Sequence, residues 1–281
     1  MKLATLRTAN GTCAARIDGD TAVEIDSPDV GTLLAQSDWR ERATTADGTR
    51  HQLGSADFGP LVKRPGKIFC VGLNYATHIL EMGRDLPDYP TLFAKFADAL
   101  VGPNDVITLD PASDAVDWEA EMAVVVGESV RRASRDEAER AIAGFGAFND
   151  ITMRDWQYRS MQWLQGKTFE ATTPFGPYLV TPDELPGGTR PSLDVHCAVD
   201  GETVQTSNTS DLVFDPATLI GYISQITTLH PGDAIATGTP GGVGHARDPK
   251  RYLTDGAVLT TAIQGLGAQR NVARAVATAL A

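Results

Sequence analysis

Apolar runs of strand length dominate this chain, and from residue 67 onward only two windows carry a good helical pattern, residues 134–143 and 215–228. The second is entered through Asp215-Pro216, with the proline at a favoured first-turn position. Strand patterns fall at residues 2–6, 12–17, 21–25, 67–71, 120–126, 178–180, 195–199, 234–237 and 258–263, separated by glycine and proline turns. Asn10-Gly11 and Asp18-Gly19-Asp20 are hairpin signals. Many strands with few intervening helices predict a β-rich α+β fold and argue against alternating βαβ units. Residues 1–65 read as a small leading domain, with a short helix near 31–42 and a polar linker at 43–57. Residues 66–281 read as the larger, second domain.

Charge removes several function classes. With 24 Lys plus Arg against 36 Asp plus Glu, the formal net charge is −12. That field repels nucleic acid and anionic membrane surfaces, so neither is an expected partner. An anionic substrate would need a local positive centre, which a metal ion can supply. The three cysteines, Cys13, Cys70 and Cys197, have no CxxC spacing, which argues against a disulfide framework or a zinc site. There is no signal-peptide pattern and no apolar run of the roughly 18 residues needed to cross a membrane. A cytoplasmic location is the expectation.

Asp117-Trp-Glu119-Ala-Glu121 begins an apolar strand. Positions i and i+2 share a face, so the two glutamates lie side by side, roughly 7 Å apart at Cα. Their repulsion calls for protons, a basic partner or a cation; hard oxygen ligands suit Mg²⁺ or Mn²⁺, and Ca²⁺ less tightly. A solvated strand edge is the alternative. Asp150, in Asn149-Asp150-Ile-Thr-Met-Arg154-Asp-Trp-Gln157, offers a third carboxylate or else a helix N-cap. Arg154 and Gln157 follow about one helical turn further on. His78 and Glu81 are neighbours on a helical turn, where the carboxylate could orient the imidazole for activation of water, or form only a surface contact. Lys167, flanked by apolar residues, suits an oxyanion or else snorkels to solvent. The glycine-rich turn at 237–244 lacks the Lys-Ser/Thr of a P-loop; its amides and the Thr239 hydroxyl could hold a carboxylate. No HExxH or GxSxG motif occurs, so a zinc or serine hydrolase is not expected.

Taken in order, these stretches resemble the fumarylacetoacetate hydrolase family in its short bacterial form. The resemblance is carried by Val71-Gly-Leu-Asn-Tyr-Ala-Thr-His78-Ile-Leu-Glu81, Asp117-Trp-Glu-Ala-Glu121, Asn149-Asp150-Ile-Thr-Met-Arg154-Asp-Trp-Gln157 and Lys167-Thr-Phe-Glu170. Pro231-Gly-Asp233 and Thr237-Gly-Thr-Pro-Gly-Gly-Val-Gly244 complete it, within residues 66–272. Trp118 stands where tyrosine is usual, Phe96 where proline is common and Glu170 where aspartate is usual; none is in the implied ligand set.

The resemblance implies a mixed β-roll with a small N-terminal α/β domain, assembled as a homodimer. It implies Glu119, Glu121 and Asp150 as ligands of Mg²⁺ or Mn²⁺, His78 as general base beside Glu81, and Lys167 as oxyanion stabiliser. Arg154, Gln157 and Thr239 would contact a small anionic oxo acid. The expected reaction is hydrolysis of the C–C bond of a 2,4-dioxo acid (an acylpyruvate) to pyruvate and a carboxylic acid. The same site would also serve isomerisation, hydration or decarboxylation of 2-oxo acids, and a non-catalytic metal-binding dimer is a further alternative. Specificity is expected in the segment around 84–89 and in 156–163.

Overall fold

The computed structural model describes residues 1–276; the end of the expected second domain, 277–281, lies outside the described residues. The architecture is β-rich, as the strand patterning predicts. One sheet has eleven strands. Its path runs from Arg50–Gln52 through Thr21–Ile25, Gly11–Asp18, Lys2–Thr8, Leu179–Val180, Ile142–Asn149, Ala120–Val126, Ala234–Ala236 and Ile68–Gly72 to Thr91–Lys95. Asp57–Phe58 pairs beside Lys2–Thr8. A second sheet orders Glu202–Asn208, Asp194–Val199, Val258–Ile263, Gly267–Ala275 and Ile107–Leu109.

The N-terminal strands form the two expected hairpins and join the large sheet where Lys2 pairs with Val180. The region 43–57 is more than a linker, because Arg50–Gln52 adds an edge strand against Thr21, Ala22 and Val23. The single helix expected near 31–42 is two, Val30–Leu34 and Trp39–Thr45. Asp29 caps the first by accepting from Thr32 N. The helix expected over 134–143 stops at Arg140, after a capping box of Ser134 and Glu137, and Ile142 already begins a strand. Pro216–Ile226 matches its sequence pattern, with Asp215 as N-cap and Leu219, Ile220 and Ile223 buried.

Ala120–Val126 is buried at every position and lies between Ile142–Asn149 and Ala234–Ala236. A strand covered on both faces reads as a near-continuous apolar run, as this one does apart from Glu121. Its antiparallel register pairs Ala120 with Asn149. Thus the first residues of one central strand lie beside the last residues of its neighbour, and that crossing positions the site.

Candidate metal centre and active site

The register brings together acidic residues separated in sequence. Glu119, Glu121 and Asp150 each place one carboxylate oxygen within 4.8 Å of the others, and all three are buried. Three hard anionic oxygens withdrawn from bulk water fit a divalent cation such as Mg²⁺ or Mn²⁺. They also repel one another in a low dielectric, so the surrounding structure has to compensate.

Three basic side chains do so. Lys167 Nζ donates to Glu119 Oε2 at 2.9 Å and to Asp150 Oδ2 at 2.8 Å. Lys95 Nζ donates to Asp150 Oδ1 at 2.6 Å. Arg154 lies 2.8 Å from Glu119 Oε1 through Nη2, donates from Nε to Asp117 Oδ2 at 2.7 Å, and from Nη1 to Gln157 Oε1 at 2.9 Å. Lys167 reaches the cluster because Gly166 lets two short helices, Arg154–Gln157 and Leu164–Lys167, meet backbone to backbone: a Cβ on Gly166 would lie 2.4 Å from Gln157 N. Asp117 accepts from Gly244 N and His245 N at 2.7 and 2.9 Å, tying the glycine-rich turn to the same ion-pair network.

The electrostatic consequences differ along the cluster. Burial disfavours the Asp150 carboxylate, but Lys167 and Lys95 outweigh it and hold the group below the usual carboxylate range. Among the described residues Glu121 forms no ion pair, and its carboxylate accepts from Gly238 N at 2.7 Å. Burial, then Asp150 and Glu119, push its carboxyl well above the ordinary value. Burial also works against the Lys167 ammonium, yet Asp150 and Glu119 raise its pKa overall.

His78 sits on the helix Ala76–Glu81, which follows the strand Ile68–Gly72. Asn74 fixes the approach: Nδ2 donates to Phe214 O and Thr237 O at 3.1 and 2.8 Å, and Oδ1 accepts from Phe214 N at 2.8 Å. Gly241 of the glycine-rich turn packs against the imidazole, where an added Cβ would lie 3.1 Å from Nδ1. Burial lowers the His78 pKa, opposed by the charges of Glu81 and Glu119, so the ring is neutral at pH 7. Glu81 occupies the exposed end of the helix and acts on His78 through space, with no hydrogen bond between them.

The structure therefore brings Glu119, Asp150, Lys167, Arg154 and Gln157 into one hydrogen-bonded cluster. The Glu121 carboxylate lies beside Glu119 and Asp150 and is held by Gly238 N of the glycine-rich turn, which also packs against His78. Thr239 is committed to the framework: its hydroxyl donates to Ala120 O at 3.0 Å and accepts from Gln205 Nε2 at 2.9 Å. The sequence reading missed Lys95, Asp117 and Gln205. Lys95 ends an otherwise apolar strand, Thr91–Lys95, and is 2 % exposed, a position where a lysine needs an anionic partner. Gln205 carried no motif at all.

The chain is similar to known proteins over most of its length. The model of the fumarylacetoacetate hydrolase C-terminal family matches residues 67–274. The chain is 45% identical over 207 residues to the mitochondrial oxaloacetate tautomerase Fahd2a of Rattus norvegicus, across 73% of this chain and 66% of that protein. The chain thus spans just under two thirds of that relative's length. It is 43% identical over 219 residues to a 2,4-didehydro-3-deoxy-L-rhamnonate hydrolase of a Sphingomonas species, across 77% of this chain and 76% of the relative. The fold superimposes on the fumarylacetoacetate hydrolase of the psychrophile Exiguobacterium antarcticum with a TM-score of 0.87 and 29% identity, over 98% of this chain and all of that one.

Proposed function

Because the chain belongs to the fumarylacetoacetate hydrolase family, we propose that it is a divalent-metal-dependent enzyme that hydrolyses the C3–C4 bond of a 2,4-dioxo acid, giving pyruvate and a carboxylic acid. The observation that carries this reading is that one glycine-rich turn packs Gly241 against the His78 imidazole and donates from Gly238 N to Glu121, one of three clustered buried carboxylates beside the buried Lys167. The name of the Sphingomonas relative adds support, since a 2,4-didehydro-3-deoxy sugar acid is itself a 2,4-dioxo acid.

Glu119, Glu121 and Asp150 would hold Mg²⁺ or Mn²⁺, which supplies a positive centre for a 2-oxo carboxylate in a chain of net charge −12 and Lewis-acid polarisation of its oxygens. The remaining roles fall to the protein. His78 accepts a proton from a water as its oxygen attacks the C4 carbonyl. The C3–C4 bond then breaks, its electron pair passing to C3 as the enolate of pyruvate while C4 leaves as the carboxylic acid. Lys167, with an ammonium held charged by Asp150 and Glu119, stabilises the enolate oxygen. Protonated His78 returns its proton to C3. Gln157 gives its Oε1 to Arg154 and keeps Nε2 for the substrate, while Arg154 holds Glu119. The homodimer implied by the family resemblance belongs to the same proposal and is checked by light scattering.

A second reading has its own support. The rat relative is named an oxaloacetate tautomerase, and moving a proton between C3 and an enol oxygen needs the same base and the same charge stabilisation. Chelator-stripped protein, resupplied with Mg²⁺ or Mn²⁺ and given acetylpyruvate, separates the two. Equal amounts of pyruvate and acetate, only with metal, support hydrolysis. Metal-dependent enol–keto exchange of oxaloacetate without cleavage of acetylpyruvate would replace it with the second reading.

A further inference from the structure

The strand Ala120–Val126 loses its neighbour before it reaches the ligands. Ala123, Val124 and Val125 pair with Ala236, Ile235 and Ala234. The adjoining chain then turns away at Gly238, whose φ of +100° suits glycine and where a Cβ would meet Val71 O at 2.9 Å. Thr237 still reaches the strand, donating to Met122 O from both its backbone N and its Oγ1, at 3.0 and 2.8 Å. Beyond it side chains take over, and Thr239 Oγ1 donates to Ala120 O at 3.0 Å. Gln205 Oε1 accepts from Ala120 N at 3.0 Å.

Ala120 is the residue between Glu119 and Glu121. Gln205 comes from the other sheet, on the strand Glu202–Asn208, and is 2 % exposed. Its Nε2 donates to Thr239 Oγ1 at 2.9 Å and to Pro240 O at 3.0 Å. The amide has one possible orientation here: Ala120 N–H is only a donor and Pro240 C=O only an acceptor. Each of these side-chain contacts of Gln205 goes to the segment bearing the two glutamates or to the glycine-rich turn. Asn149 makes a parallel contact one residue earlier, accepting from Glu119 N at 2.9 Å.

We propose that Gln205 is a positioning residue: through Ala120 it sets the spacing of Glu119 and Glu121 for a divalent cation, and through Thr239 and Pro240 it holds the turn that faces the substrate. One amide thereby ties metal binding to the shape of the substrate loop. The inference rests on the reading of Glu119, Glu121 and Asp150 as the ligands, and not on which oxo acid is turned over.

Gln205→Met keeps the length and burial of the side chain but neither accepts nor donates. Loss of a residue that orients metal ligands weakens metal affinity by about 10–100-fold. Mn²⁺ binding to the stripped, full-length protein, followed by electron paramagnetic resonance, should weaken by about tenfold or more, with KM rising more than kcat falls. Val199→Ala is the control, a buried position on the neighbouring strand Asp194–Val199 that costs stability without touching the site. Gln205→Met binding Mn²⁺ as tightly as Val199→Ala overturns the proposal. If Gln205→Met does not fold, Thr239→Val removes only the hydroxyl linking Gln205 to Ala120 O, and unchanged Mn²⁺ affinity and KM in that variant overturn it equally. Wild-type protein that binds no Mn²⁺ defeats the ligand reading and this inference together. Tight Mn²⁺ binding without turnover of any oxo acid defeats only the proposed reaction.

Discussion

The Lys95 ammonium meets the Asp150 carboxylate at 2.6 Å with neither side chain exposed to solvent. Lys95 also donates to Ile151 O at 3.0 Å, and Lys167 takes the second Asp150 oxygen. Removing one member of a buried pair leaves an uncompensated charge and costs about 3–5 kcal/mol. Lys95→Met should therefore lower the metal-free unfolding free energy by about that much in a urea titration. A divalent cation at saturating concentration should restore much of the loss by taking over the neutralisation of Asp150. An unchanged urea midpoint would show that Lys167 alone suffices for Asp150.

Binding of the cation should itself stabilise the fold. At about 100 times its Kd, a ligand specific for the native state adds about 2.7 kcal/mol. Thermal unfolding of the stripped protein should shift upward on addition of Mn²⁺ and return on addition of chelator. Glu121→Gln should abolish the shift, since an amide cannot replace the anionic ligand. Without metal, the same variant should be at least as stable as wild type, because burial beside Asp150 and Glu119 already disfavours charge at Glu121. A Glu121→Gln protein that still gains stability from Mn²⁺ would take Glu121 out of the ligand set.

Much of this arrangement was legible in the chain, for reasons particular residues make plain. Ala120–Val126 announced itself because a strand buried on both faces is apolar nearly throughout, with Glu121 its one charged residue. Glu119 and Glu121 were visible as a pair because strand geometry puts i and i+2 on one face. Ile142–Asn149 was not, since Gly144 and Gly146 dilute its strand signal and its first residues continue an alanine-rich helical pattern. The two N-terminal helices read as one although Asp38 is a residue type that starts helices; its side chain makes no cap hydrogen bond in the structure. Lys95 and Gln205 act across the fold, 55 and 85 residues from the groups they hold. Contacts of that kind depend on register and sheet packing, which no local pattern encodes.

The proposed role of His78 predicts a defined pH dependence. Burial lowers its pKa below the ordinary value of about 6.5, so the ring is neutral, and competent as a base, from there upward. Activity should hold across neutral pH and fall only as pH drops through the lowered pKa and the imidazole gains its proton. His78→Gln should reduce kcat by about 10²–10⁴ and leave Mn²⁺ affinity intact. Its residual rate should no longer follow that acid limb. An acid limb that persists unchanged in His78→Gln would assign it to another group.

Lys167 and Lys95 share Asp150, yet they should separate in function. Lys95 donates to one candidate ligand, Asp150, and to a backbone carbonyl, Ile151 O. Lys167 bridges two candidate ligands, Glu119 and Asp150, and its ammonium lies 4.9 Å from the centre of the Phe93 ring. Each ammonium has three protons and two such partners. It is the third proton of Lys167, held between two carboxylates of the cluster, that the proposed mechanism assigns to a developing oxyanion. Loss of such a donor costs about two to three decades in kcat. Lys167→Met and Lys95→Met should both weaken the metal-free fold and both recover with Mn²⁺. With metal bound, kcat should recover in Lys95→Met and stay depressed about 10²–10³-fold in Lys167→Met. Equal turnover by the two metal-loaded variants would reduce Lys167 to a second framework cation, leaving the enolate charge to be met elsewhere in the site.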